Sequence, residues 1–197
     1  MVKIGVLALQ GAVAEHIRMI EAAGAQGIVV KRVEQLSELD GLIIPGGEST
    51  TIGKLMREYG FIEAIQAFAA NQKPIFGTCA GMIVMAKAIV GQTDAHLHLM
   101  DIEVARNAFG RQRESFEVDL SVVGIADTVR AVFIRAPLIA SVGTNVEVLS
   151  TYKDQIVAAR QGNLLVCSFH PELTDDYSMH SYFAEMASAA AKHITTA

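Results

Sequence analysis

The chain is short of cysteine, of net charge and of unbroken hydrophobic runs, and each shortage removes a class of protein. Two cysteines in 197 residues, Cys79 and Cys167, are too few for a disulfide framework and point to a reducing cytoplasm. A net charge of -5 supplies neither the basic footprint that nucleic acid demands nor a polybasic membrane anchor. Mean hydropathy is positive. Yet the most apolar stretch, residues 75–91, is broken by Gly77, Gly81 and Lys87, so it reads as a buried strand and helix, not a membrane span. The N-terminal MVKIGVLALQG has no separate cationic region and no small-residue cleavage site, and reads as a first strand instead of a signal peptide. Low complexity, repeats and linker-like composition are absent as well. The expectation is one domain over residues 1–197.

What is present is an alternation of short β-rich runs with helical patterns. Strands are expected at 2–9, 27–31, 41–45 and 74–78. Helices are expected at 12–23, 50–59, 61–71 and about 80–88, the first from the spacing of Ile17, Ile20 and Ala23. Such alternation implies right-handed crossovers and a parallel sheet covered on both faces. Between Leu99 and Phe169 the strand-like runs crowd together (100–105, 116–120, 132–134, 146–151, 155–161, 163–169), which predicts antiparallel additions at a sheet edge. A helix over 177–192 closes the chain. The expected class is α/β: three layers, α/β/α, around a mostly parallel central sheet with antiparallel edge additions.

Gly77-Thr78-Cys79-Ala80-Gly81 is a Gly-x-Cys-x-Gly pattern at a strand-to-helix junction, the sulfur version of a nucleophile elbow. A turn this sharp needs small flanking residues, and a helix N-terminus favours a thiolate. The competing reading is a buried apolar cysteine whose glycines merely permit tight packing. Cys167 lies inside the apolar run LLVCSF and reads as structural. A thiolate needs a base. His170 directly follows that run, and in an extended chain it shares a side with Glu172 across Pro171, giving a histidine oriented by a carboxylate. Taken alone, His-Pro-Glu reads first as a turn with incidental polar residues; beside the cysteine elbow the oriented histidine takes precedence. His96 and His98 lack a third metal ligand at a recognisable interval and read as a solvated strand edge. His16, His180 and His193 read as surface residues. No metal or cofactor site is expected.

The loop 45–54, PGGESTTIGK, resembles a phosphate loop but encloses five residues between Gly47 and Gly53, and Leu55 stands where a magnesium-binding hydroxyl belongs. Nucleotide binding is therefore not expected. Paired glycines after a buried strand instead let backbone N–H groups approach a ligand, and with the N–H of Ala80 that of Gly47 makes an oxyanion hole. Ser49 and Thr50 are expected first as helix N-caps.

In this order, a Pro-Gly-Gly loop, a Gly-x-Cys-x-Gly elbow and a late His-Pro-Glu resemble the class I, triad-type glutamine amidotransferases. Six blocks narrow the likeness: residues 7–11 (LALQG), 45–50 (PGGEST), 77–82 (GTCAGM), 106–117 (RNAFGRQRESFE), 133–137 (FIRAP) and 168–174 (SFHPELT). Together they resemble the glutaminase subunit of pyridoxal 5'-phosphate synthase. The resemblance implies Cys79 as nucleophile, His170 as general acid/base and Glu172 as its orienting carboxylate. It implies glutamine binding by Gly47, Glu48, Ser49, Arg106, Ile134 and Arg135. It also implies ammonia channelled to a (β/α)8-barrel synthase subunit in a large hetero-oligomer, with glutaminase activity weak until docking. From the residues alone, Arg106 and Arg135 are equally fit for structural salt bridges. Two other readings stay open at this point: a cysteine hydrolase of different specificity, and a non-catalytic interaction module with a relic triad.

Overall fold

The computed structural model of the chain describes residues 1–106, 115–125 and 128–195. Most of block 106–117 therefore lies outside the described residues. Strands β1 (Lys3–Leu7), β2 (Gln26–Val30), β3 (Gly41–Ile44), β4 (Ile75–Thr78) and β12 (Leu164–Cys167) pair in parallel in the order β2-β1-β3-β4-β12. β3 and β4 are buried along their whole length, which is why they read as continuous apolar runs without alternation. Their side chains still divide between two cores. Leu42, Ile44, Ile75 and Val166 join one; Ile43, Phe76, Leu165 and Cys167 join the other.

Helices α2 (Ser49–Glu58) and α3 (Phe61–Ala70) cover the first face with Ile52, Met56, Phe61, Ile65 and Phe68. Helices α1 (Val13–Ala22) and α5 (Ser178–Thr195) cover the second with Ile20, Met179, Phe183 and Ala187. Each fully buried Ile, Met or Phe among them contributes about 1.5–3 kcal/mol. Contact is close: a Cβ on Gly41 would stand 3.2 Å from the Phe183 ring. α2 and α3 part at Gly60, whose φ of 74° is costly for other residues.

Beyond β12 the sheet turns antiparallel, through β11 (Gln155–Gln161), β9 (Leu138–Val142) and β6 (Met100–Ala105), with β10 (Glu147–Tyr152) also on β11. The expected edge additions are there, with three differences. The helix expected to reach residue 88 stops: α4 spans only Ala80–Met85, and β5 (Ala86–Ile89) follows, paired in parallel with β6. An apolar run has no period that tells helix from strand, so the pairing decides. β9 was not expected at all; it is short and held from both sides by β6 and β11. Finally, β7 (Ser115–Ser121) and β8 (Thr128–Ile134) do not join the main sheet. They form a separate two-stranded ribbon packed into the second core through Leu120, Val129, Ala131 and Phe133. Among the described residues no helix is long and apolar enough to cross a membrane.

Candidate active site

Four adjacent parallel strands, β1, β3, β4 and β12, end at the same rim of the sheet, and each is followed by one of the singled-out motifs. Ligands bind at this rim in open α/β sheets. After β4 the chain makes its elbow: Cys79 has φ 50° and ψ −109°, a conformation costing a non-glycine residue about 1–3 kcal/mol. Close packing enforces it. A Cβ on Gly81 would lie 2.0 Å from the Ile44 carbonyl oxygen, and one on Gly77 would lie 2.7 Å from the Gly81 backbone. The Cys79 N–H donates to the Cys167 carbonyl at 2.9 Å. The glycines thus admit the close backbone contacts of a buried, strained cysteine that is 7% exposed.

After β12, His170 caps a 3₁₀ turn (Pro171–Leu173), and its N–H donates to the Val132 carbonyl of β8 at 2.8 Å. Alternation along an extended chain would bring His170 and Glu172 to one side. The structure achieves it differently: the turn folds the two side chains together, with His170 Nδ1 2.7 Å from Glu172 Oε1. Glu172 is fully buried. Burial opposes a charged His170, but its hydrogen bonds to Cys79 and Glu172 and their charges raise its pKa from 6.5 to about 10. With Nδ1 committed to Glu172, Nε2 remains for Cys79. Cys167 is confirmed as buried; desolvation pushes its thiol pKa well up, and its Sγ donates to the Phe169 carbonyl.

After β3, Gly46 lies against the cysteine and histidine: a Cβ there would stand 2.6 Å from His170 Cε1 and 3.3 Å from Cys79 Cβ. Gly47 has φ 150°. Gln10 of the loop after β1 accepts a hydrogen bond from the Glu48 N–H at 2.7 Å, and Gly11 meets the Gly46 carbonyl where no Cβ fits. Gln10 stands in block 7–11, but a lone glutamine carries no spacing signal, so its role emerges only from the structure. Ser49 and Thr50 are not the N-caps expected of them. Glu48 takes that position without a side-chain cap bond, and Ser49 is buried inside the first turn.

Of the remaining expected ligands, Ile134 is half-buried at the end of β8, and Arg135 is exposed at φ 42° beside it. Arg106 lies directly after β6, near enough to His96 to lower its pKa along with burial and Arg57. His96 and His98 sit in the loop before β6, not on a strand edge; the His96 ring covers Gly53 of α2. Among the described residues no cluster suits a metal ion. His193 is exposed as expected, but His16 and His180 are 0% and 1% exposed, which corrects their surface assignment. The buried residues of α1 are His16, Met19 and Ile20; of the expected Ile17–Ile20–Ala23 stripe, Ile20 is buried and Ile17 packs half-buried on the second core.

An elbow cysteine beside a histidine, itself hydrogen-bonded to a buried glutamate, at the carboxyl rim of a parallel sheet is an arrangement suited to hydrolysis through a thioester, as in the amidotransferase class. The profile of the SNO glutamine amidotransferase family matches residues 6–189, and the chain belongs to that family of glutamine-hydrolysing enzymes. It is 73% identical over 184 residues to pyridoxal 5'-phosphate synthase subunit PdxT of Niallia circulans, covering 93% of this chain and 97% of that one. It is 65% identical over 190 residues to the PdxT subunit of Halalkalibacterium halodurans, covering 96% and 97%. A crystal structure of a glutamine amidotransferase superposes with a TM-score of 0.90 at 48% identity, over 94% of this chain and 98% of the other. PurLQS from Thermotoga maritima shares the fold, with a TM-score of 0.69 at 16% identity over 98% and 99%.

Proposed function

We propose that the chain hydrolyses L-glutamine to L-glutamate through Cys79, His170 and Glu172, and supplies the ammonia to the synthase subunit of pyridoxal 5'-phosphate synthase. Family membership and relatives named as that enzyme's PdxT subunit support glutamine hydrolysis feeding pyridoxal 5'-phosphate synthesis. The observations that support the residue roles are the adjacency of Cys79 and His170 against Gly46 and the 2.7 Å contact of His170 Nδ1 with buried Glu172.

The Cys79 thiolate attacks the side-chain amide carbon, and the carbonyl oxygen becomes an oxyanion held by the N–H groups of Gly47 and Ala80. His170 passes its proton to the departing nitrogen, and ammonia leaves. The neutral imidazole then takes a proton from water, whose oxygen attacks the γ-glutamyl thioester. Glutamate departs and the thiolate–imidazolium pair returns. Glu172 holds His170 in the tautomer that faces Cys79. Gly47, Glu48 and Ser49 border the substrate side of the cysteine, Arg106 and Arg135 supply guanidinium groups for its carboxylate, and Ile134 packs against its chain.

Ammonia is useful only if kept from water, so we place its exit in a channel into a docked partner. The partner is the (β/α)8-barrel synthase subunit in a large hetero-oligomer, and the pair works in the cytoplasm as one glutaminase domain per chain. The test is glutamate release with and without the synthase subunit. Wild type with the synthase should be active. Cys79→Ala should release none, while ammonium salts still sustain pyridoxal 5'-phosphate formation. Glutaminase activity retained by Cys79→Ala overturns the assignment.

A further inference from the structure

Behind Glu172 the chain buries two imidazoles that the mechanism above leaves without a task. His16 of α1 and His180 of α5 meet across the second core, with Nδ1 of His16 2.9 Å from Nε2 of His180. The other nitrogen of His16 faces the site: its Nε2 is 3.3 Å from Thr78 Oγ1 and 3.6 Å from Glu172 Oε2. Glu172 Oε1 is committed to His170, whereas Oε2 is buried with no hydrogen-bond partner among the described residues. A buried carboxylate oxygen demands a donor, and the His16 nitrogen is the group facing it.

We propose that His16 is a positioning residue: its Nε2–H, fixed as the donor by His180, steadies the free oxygen of Glu172 and through it the ring of His170. The inference rests on the triad reading above.

Tautomer logic supports it. Two ring nitrogens 2.9 Å apart need one donor and one acceptor. If His180 Nε2–H donates to His16 Nδ1, the His16 proton sits on Nε2 and points its positive end at Thr78 and Glu172. The reverse order would aim a nitrogen lone pair at a carboxylate lone pair, and would leave a buried N–H on His180 Nδ1, which has no partner. The groups facing this pair are few. Thr78 comes from β4, Glu172 and His170 from the segment after β12, Asp176 from the turn before α5, and Cys167 lies beside Glu172. Desolvation lowers the pKa of both imidazoles, that of His180 to about 3, so both stay neutral and keep one tautomer order near neutrality. At 3.6 Å the contact with Oε2 is longer than a formed hydrogen bond, and a shift of a few tenths of an ångström closes it, as resting-state geometry commonly requires.

Two measurements on the full chain decide. Nitrogen NMR of histidine-labelled protein should show His16 protonated on Nε2 and bare on Nδ1; a proton on Nδ1 overturns the proposal, with no substitution required. In the complex with the synthase subunit, His16→Leu should lower kcat for glutamine about 10–100-fold, with KM little changed, as loss of a supporting hydrogen bond does. His16→Gln, whose amide N–H reaches the Nε2 position, should recover most of the lost kcat. If Leu and Gln variants are equally active, or equally impaired, His16 only fills space. An inactive wild-type complex would instead sink the glutaminase reading and leave the tautomer result standing.

Discussion

The side-chain oxygen of Gln10 accepts the backbone N–H of Glu48 at 2.7 Å, joining the loop after β1 to the glycine loop after β3. Gly47, between them, sits at φ 150°. A glycine pair has little conformational preference of its own, so this bond is what selects one loop geometry beside Cys79. Gln10→Ala should therefore lower kcat for glutamine by about tenfold or more, since misaimed oxyanion donors are costly. Its thermal midpoint should barely move. Unchanged kcat in the synthase complex would show that the loop holds itself.

The elbow predicts an opposite pairing of activity and stability. Cys79→Gly should abolish activity but leave the fold as stable as Cys79→Ala or about 1 kcal/mol more so, both variants having lost the sulfur. Glycine relieves the φ 50° strain and gives back part of that gain in chain entropy. Urea titration of the two variants checks it. A glycine variant less stable than the alanine one by about 1 kcal/mol would mean that the elbow is unstrained.

Gly81→Ala tests the packing beneath the elbow. Its methyl would meet the Ile44 carbonyl oxygen at 2.0 Å, a backbone atom that cannot step aside as a side chain can. A destabilisation of about 1–3 kcal/mol or more is expected from such overpacking, with glutaminase activity lost through the displaced cysteine. Wild-type activity in this variant would refute the tight contact.

Stability should fall on both sides of pH 6.5. His170 has its folded pKa raised to about 10, so its contribution is complete below about 6.5 and disappears as pH rises through about 10. His180 is depressed to about 3 and His16 is lowered too. The unfolded chain then binds more protons than the folded one below about 6.5, and stability drops as pH falls. The limiting slope is about 1.4 kcal/mol per pH unit for each histidine. Urea midpoints measured from pH 4 to 9.5 should trace this maximum, and Cys79→Ala should flatten the alkaline side by removing one partner that raises His170. A midpoint that climbs as pH falls from 6 to 4 would contradict the burial of His16 and His180.

The parallel half of the fold and the cysteine, glycine-loop and His-Pro-Glu motifs at its rim are legible in local composition. Continuous apolar runs such as 41–44 and 75–78 belong to strands buried on both faces, and glycines at 77 and 81 mark close backbone contact, so local composition carries the information. Helix and strand in the run 80–89 were not separable locally, because only pairing with β6 makes Ala86–Ile89 a strand. Nor was the β7–β8 ribbon distinguishable from an edge addition, since hairpin pattern says nothing about which surface it packs on. The site divides the same way. Cys79, His170 and Glu172 announce themselves by spacing, whereas Gln10, His16 and His180 gain meaning only from partners 38 and 164 residues away in the chain. Periodicity places a histidine on a helix; what that histidine faces is decided by the elements that close around it.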